Sequence, residues 1–342
     1  MERRQPVSRK APVVRTDLPL RPLVSTERVE IPSVPPSQTL SRLLCMFGHT
    51  LQMVTDDKST FSEHRQYLFS LAYRMTGSAA DAEDLLQETY LRWRQASRDD
   101  IRTPRAFLTT VISRLAINHL ESARVRREQY VGSWLPEPVV TTPNNDPAEL
   151  SESLTMAFLV LLESLTPLER AVFLLHEVFD YSHAEIGEIV GQSEEASRQS
   201  LRRAKQAVGQ RRPRFEPQPL AARQLTEEFA RAMTTGDVGA LMKLLHEEII
   251  AYSDGGGRVR AAMNPIFGRD HVARFLAGIA QKSGDGLHRQ LVEINAQPGV
   301  LGFRNGEAQG ALVLDIDQDQ IRTVYIVVNP EKLQHLPKEG TA

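Results

Sequence analysis

The stretch "SHAEIGEIVGQSEEASRQSLRRAKQAV", residues 182–208, narrows the folds open to this chain more than any other. Two segments of helical period meet at the tight turn "GQS". A helix, a short glycine-containing turn and a second helix make a helix-turn-helix. Ser193 is placed to cap the second helix, and Ser197, Arg198, Gln199 and Arg202 project from its first turns. Arg203, Lys205, Arg211, Arg212 and Arg214 continue the positive charge, and no acid falls between Glu195 and Glu216. A recognition helix contacts base edges near its N-terminal end and holds phosphates alongside. Arginine pairs bidentately with guanine, and Lys or Arg on phosphate releases counterions. A net charge of −2 gives no global sign of nucleic-acid binding, so the signal lies in this local concentration.

At 342 residues the chain is too long for one ordinary domain, and its composition divides it into zones. Residues 1–55 carry Pro6, Pro12, Pro19, Pro22, Pro32, Pro35 and Pro36, a density that blocks helix and ladder formation and predicts a disordered extension. Met46 and Met53 at its end are alternative start positions to Met1. Residues 58–128 read as three helices. The first presents Phe61, Leu68, Leu71, Ala72 and Met75 and stops at Gly77. Ser78 caps the second, with Ala82, Leu85, Leu86, Tyr90 and Trp93 on its apolar stripe. Thr103 caps the third, with Pro104 in its first turn and Phe107, Leu108, Val111, Ile112, Leu115 and Leu120 inward. Prolines at 136, 138, 143 and 147 make residues 129–150 a linker, and residues 151–214 are helical around the helix-turn-helix. From 218 to 335 the pattern changes. "LAARQLTEEFARAMTTGD", "VGALMKLLHEE" and "RDHVARFLAGIAQK" read as helices. "HRQLVEINAQ", "GVLGFRN", "GEAQGALVLDID" and "QIRTVYIVVNP" read as antiparallel strands, giving a compact α+β domain.

Several function classes lack their residues. "HEVFD" has Asp180 where a zinc-protease helix needs its second histidine, so His176 and Glu177 read as helix-surface residues. No Cys/His cluster has metal spacing, and there is no phosphate loop and no G-x-S-x-G elbow. The lone Cys45 makes no internal disulfide, and no apolar run approaches ~20 residues, so a cytoplasmic protein without membrane contact or cofactor is expected. The "DGGG" of residues 254–257 invites comparison with a phosphate cradle but lacks a following Gly-Lys-Ser/Thr. Gly255, Gly256 and Gly257 suit a tight turn or a close backbone approach. A second basic helix, "RLAINHLESARVRRE", sets Arg114, Asn118, His119, Ser122 and Arg126 among further arginines, and two basic helical units suggest two DNA contacts.

"DAEDLLQETYLRW" resembles the polymerase-binding helix of extracytoplasmic-function (ECF) RNA polymerase sigma factors. Residues 166–208 resemble their second conserved domain. "YVGSWLPEP", "DGGG" and "NPEKL" narrow the likeness to the ECF subgroup with a fused C-terminal SnoaL-like (NTF2-like) domain. The resemblance implies a multidomain fold. Two all-α sigma domains, the second with the helix-turn-helix, precede an α+β cone.

It also implies roles. Asp84, Gln87 and Glu88 match the acidic face that docks on the largest-subunit clamp of core RNA polymerase. Arg114, Asn118, Ser122 and Arg126 fall where the −10 element is melted and captured, although this chain has Arg114-Leu115 where the common pattern has Arg-Asn. Ser197, Arg198, Gln199, Arg202 and Arg203 fall where the −35 element is read. Trp134, Asp254, Gly255, Gly256, Gly257, Asn329 and Pro330 fall at contacts through which the C-terminal domain tunes activity, replacing a dedicated anti-sigma partner. A SnoaL-like cone also leaves room for a small-molecule ligand, or for chemistry by Tyr252, Asp254, Asp270, His271 and Arg274. The competing classes are a stand-alone ligand-sensing DNA-binding regulator and a SnoaL-like enzyme with a DNA-binding appendage.

Overall fold

The computed structural model describes residues 58–97, 101, 103–141, 152–209, 219–284 and 286–341. The expected disordered extension over 1–55 lies outside these residues. The first helix, α1, covers residues 58–76, and Gly77 ends it at φ +69°. That backbone suits glycine, and a Cβ there would also stand 2.7 Å from the Trp134 ring. Ser78 then caps α2 (Ala79–Gln95), its hydroxyl accepting from the Asp81 amide at 3.0 Å. Helix α3 runs Pro104–Glu128, with the Thr103 hydroxyl accepting from the Ala106 amide at 3.4 Å.

The linker follows in extended form to residue 141, and its Val140 bridges to Ile294. Helices α4 (Met156–Leu162), α5 (Pro167–Glu177), α6 (His183–Val190) and α7 (Glu194–Gly209) come next. Capping boxes at Thr166/Glu169 and Ser182/Glu185 start α5 and α6. Gly191 at φ +75° ends α6, and the Ser193 hydroxyl accepts from Ala196 at 3.1 Å to open α7, completing the helix-turn-helix.

The two helical regions share one hydrophobic core. Leu68, Leu71, Met75, Leu86, Trp93, Leu108 and Ile112 pack in the same cluster as Val172, Leu174, Ile186, Leu201 and Ala204. Full burial of each large aliphatic side chain contributes about 1.5–3 kcal/mol. The two regions therefore hold each other through much more than surface polar contacts.

The C-terminal part begins with α8 (Pro219–Thr235) and α9 (Val238–Leu244), followed by β1 (Leu245–Asp254) and β2 (Ile266–Phe267). Helix α10 (Arg269–Ser283) leads to β3 (His288–Ile294), β4 (Gln297–Arg304), β5 (Glu307–Asp317) and β6 (Gln320–Val327). The sheet order is β2-β1-β6-β5-β4-β3. Period-two alternation sorts its side chains. Leu314, Ile316, Val324 and Ile326 face α8–α10, while Ala311, Val313, Tyr325 and Val327 face the linker residue Leu135 and Met156 of α4. One correction concerns "LHEE", read above as the end of a helix. Leu245 opens β1 instead, paired in parallel with β6, so the sheet is not wholly antiparallel. Pairing on both edges of β1 outweighs the helix preference of two glutamates that lie exposed at its irregular start.

Candidate polymerase, promoter and linker contacts

The outer face of α2 presents Asp84, Gln87 and Glu88, spaced i, i+3, i+4, and the next position of that stripe is Leu91. Asp84 and Gln87 are exposed, and so is 49% of Leu91, a large apolar side chain left in water between polar neighbours. Glu88 pairs with Arg92 at 2.8 Å, and the flanking Glu83 pairs with Arg65 at 2.7 Å. The stripe thus runs from acidic and polar side chains to an exposed apolar residue at its C-terminal end.

On α3, Arg114, Asn118 and Ser122 repeat every fourth residue and line one exposed face; the Arg126 side chain lies outside the described residues. Arg114 does not stand in open solvent. Its guanidinium donates to the backbone oxygens of Ile189 (2.7 Å) and Glu188 (2.8 Å), the last carbonyls of α6. Cations are favoured at that end of a helix. The reverse exchange also occurs, because buried Arg170 of α5 donates to the Met75 oxygen at the end of α1 at 2.7 Å. Tyr67, Thr109 and Tyr181 close the same interface with hydroxyl contacts of 2.9–3.3 Å.

On α7, Arg198, Gln199, Arg202 and Arg203 are exposed. Arg198 pairs with Glu194, and Arg203 reaches Glu169 at 3.1 Å. Ser197 departs from its expected outward position. It is fully buried, 3.1 Å from His183 Nδ1, because it continues the inward stripe of Ser200, Leu201, Ala204 and Val208. The His183 ring lies tilted against His176, with 4.6 Å between ring centres. Burial, then neighbouring His176 and Arg198, hold its pKa below the usual imidazole range.

The linker and the C-terminal domain meet around Asp254, whose side chain has no exposure. One carboxylate oxygen accepts from Tyr130 Oη (2.6 Å) and the Gly256 amide (3.0 Å). The other accepts from the Leu135 amide (2.9 Å) and Lys332 Nζ (2.8 Å). Lys332 also donates to the Leu135 oxygen and sits 4.1 Å from the centre of the Trp134 ring. Burial, then the bond to Asp254, pushes the Tyr130 hydroxyl well above the ordinary phenol range, so it remains a donor. Asn329 Nδ2 donates to Tyr130 at 2.9 Å, Pro330 opens the short turn that carries Lys332, and a Cβ on Gly256 would collide with the Asn329 amide. A Cβ on Gly257 would stand 3.2 Å from Val131, and one on Gly255 would strike the backbone at Val259. The glycine run lets the loop lie against the linker.

A second contact is made by the turn between β3 and β4. Asn295, fully buried, donates to Tyr73 Oη of α1 (2.6 Å) and the Leu154 oxygen (3.2 Å) and accepts from the Val139 amide (3.1 Å). The structure does not gather the acid/base residues of the cone. Asp254 lies beneath the linker, Asp270 and Arg274 form an exposed i,i+4 pair at 2.8 Å, and His271 faces the Phe267 carbonyl. Tyr252 stacks on Tyr325 at 5.7 Å. Among the described residues no group of three metal-ligating side chains occurs, and no helix is long and apolar enough to cross a membrane.

Comparison with known proteins accounts for this arrangement. Sigma-70 region 2 matches residues 60–126, and Sigma-70, region 4 matches residues 155–208. The ECF RNA polymerase sigma factor SigJ of Mycobacterium tuberculosis is 38% identical over 295 residues, covering 82% of this chain and 94% of that protein. The chain belongs to the ECF RNA polymerase sigma factor family. The probable ECF sigma factor SigI of the same species is 32% identical, covering 81% of this sigma factor and 94% of SigI. The crystal structure of Mycobacterium tuberculosis SigJ superposes with a TM-score of 0.65 at 36% identity, covering 80% of this chain and 97% of that one. The region 2 match thus spans most of α1–α3 and the region 4 match most of α4–α7, and a helix-backed sheet follows them. The exposure of Leu91 could have been found by extending the α2 stripe one step. Tyr130, Lys332 and Asn295 carry no local signal of their partners.

Proposed function

We propose that this sigma factor directs bacterial RNA polymerase to its promoters under the control of its own C-terminal domain, in the cytoplasm and without a dedicated anti-sigma partner. Asp84, Gln87 and Glu88 dock on core polymerase. Arg114, Asn118, Ser122 and Arg126 hold the −10 strand, and Arg198, Gln199, Arg202 and Arg203 read the −35 element. The boundaries proposed are 58–128 for region 2, 129–150 for the linker, 151–214 for region 4 and 218–335 for the regulatory domain. The protein itself catalyses nothing, a reading favoured by the dispersal of Asp254, Asp270, His271 and Arg274.

The observation that carries the regulatory part is the buried Asp254–Lys332 pair at 2.8 Å, closed over linker residues Tyr130 and Leu135. A buried, fully bonded ion pair spent on a linker fixes that linker's path, and with it the relation of regions 2 and 4. The test is a footprint on a promoter fragment selected from genomic DNA by the holoenzyme. Protection is expected only when core polymerase is present. A tight, sequence-specific footprint by the protein alone would make it a stand-alone regulator instead.

A further inference from the structure

Glu137 belongs to the linker, yet each of its polar atoms serves the junction between α1 and α2. Its backbone amide donates to the Gly77 oxygen at 2.8 Å, and its backbone oxygen accepts from Tyr73 Oη at 2.6 Å. Its carboxylate accepts from Ser78 Oγ at 2.9 Å and from the amides of Ala79 and Ala80 at 2.7 and 3.2 Å. Those are the first two amides of α2, which have no partner within the helix, and a negative charge there also suits the helix dipole. The cap of α2 is therefore divided. Ser78 covers Asp81, and a residue 58 positions beyond Ala79 covers the rest.

The opposite side of the same linker stretch is gripped by the C-terminal domain. Asp254 and Lys332 hold Leu135, Lys332 lies on Trp134, and His335 Nε2 contacts the Pro138 oxygen at 3.0 Å while its Nδ1 stands 3.7 Å from the Glu137 carboxylate. One turn past the cap, α2 presents Asp84, Gln87, Glu88 and exposed Leu91. That stripe is open to solvent with the linker in place, so docking does not require the cap to leave.

We propose that Glu137 is a positioning residue for polymerase docking, a cap supplied to α2 by the linker and held by the C-terminal domain. It fixes the first turn of α2 and so the angle at which the docking stripe meets polymerase. The inference rests on the reading that this stripe binds core enzyme. It gives the C-terminal domain a route to polymerase affinity that does not pass through DNA.

The test titrates full-length protein with core polymerase and follows amide exchange at the start of α2. Glu137→Ala is expected to weaken core binding roughly five-fold, the loss of one helix cap expressed as an affinity. Exchange at Ala79 and Ala80 should quicken, with Asp81 unchanged. Glu137→Gln keeps an oxygen that can accept from both Ala79 and Ala80, which share Oε2, and should recover most of the affinity. Should Glu137→Ala lose its cooperative melt, Glu137→Gln decides: faster exchange at Ala79 and Ala80 with a smaller loss of affinity, from the charge removed at the helix N-terminus, supports the proposal, whereas unchanged exchange and affinity overturn it. Unchanged or tighter binding by Glu137→Ala overturns it, provided Asp84→Ala with Gln87→Ala still loses binding. If that double variant binds normally, the docking reading itself has failed, and the two failures are thereby distinguished.

Discussion

A carboxylate with no exposed surface must have its charge matched, and Asp254 is matched by Lys332, Tyr130 and the amides of Leu135 and Gly256. Removing one partner of such a pair costs more than the pair contributes, because the other is left buried and unpaired. Asp254→Ala strands Lys332 and is expected to lower stability by about 3–5 kcal/mol. Lys332→Met should cost clearly less, since Asp254 keeps three donors and the methionine stem still covers Trp134. Chemical denaturation of the two variants checks the order; equal losses would count against the carboxylate's leading role, and a larger loss from Lys332→Met would mean that the lysine organises the site. "DGGG", "YVGSWLPEP" and "NPEKL" each stand out as a motif, but Lys332 lies 78 positions from Asp254 and Tyr130 lies 124, and no local pattern shows that these three side chains meet. Ser197 was legible and misread. The inward stripe Leu201, Ala204 and Val208 extends back to it, and a small hydroxyl beside arginines looks like a DNA contact only if that stripe is ignored.

An amphipathic helix declares both faces through one period, which is why α7 was readable nearly to the residue while β1 was not. The buried stripe of α7 leaves Arg198, Gln199, Arg202 and Arg203 outward, and Arg198 and Arg202 lie one turn apart on the exposed surface. Arg198→Ala and Arg202→Ala are each expected to lower −35-dependent transcription by at least about five-fold, the lower end of what a bidentate base contact contributes. Core-polymerase affinity should be unchanged, so the measurement compares run-off output from the natural promoter with output after the −35 element is scrambled. A mutant that keeps its sequence preference would remove these residues from the recognition surface. Strand β1 escaped because its identity comes from its neighbours. "LHEEIIAYSD" has glutamates and no clean alternation at its start, and pairing with β6 and β2 decides the matter. The helices, where local period and capping suffice, were legible apart from the inward Ser197; of the sheet, β3–β6 were legible and β1 and β2 were not.

At the scale of the molecule, the two promoter-reading regions are locked together by the same groups that must later be apart. Arg114 of region 2 lies 2.7 Å from a carbonyl of the helix-turn-helix, and regions 2 and 4 share one core. Elements named −10 and −35 lie about 25 base pairs apart, or about 85 Å along a straight duplex at ~3.4 Å per base pair. No structure in which Arg114 touches Ile189 reaches both. On the proposed promoter contacts the described arrangement is a closed state: forming an initiation complex would separate the regions, exchange the carbonyls on Arg114 for phosphates and expose the apolar core between them. That exposed surface is costly in water, so opening is expected on polymerase, which covers it, and not on DNA alone. With Cys45→Ser, dyes placed at Gln95→Cys on α2 and Gln206→Cys on α7 report the separation, since both positions are exposed. High transfer efficiency is expected for the free protein, little change on adding promoter DNA, and a large fall on adding core polymerase. Efficiency that stays high in a transcribing complex would sink the closed-state assignment. A fall with DNA alone would instead show that promoter contacts, not polymerase, meet the cost of parting the two regions.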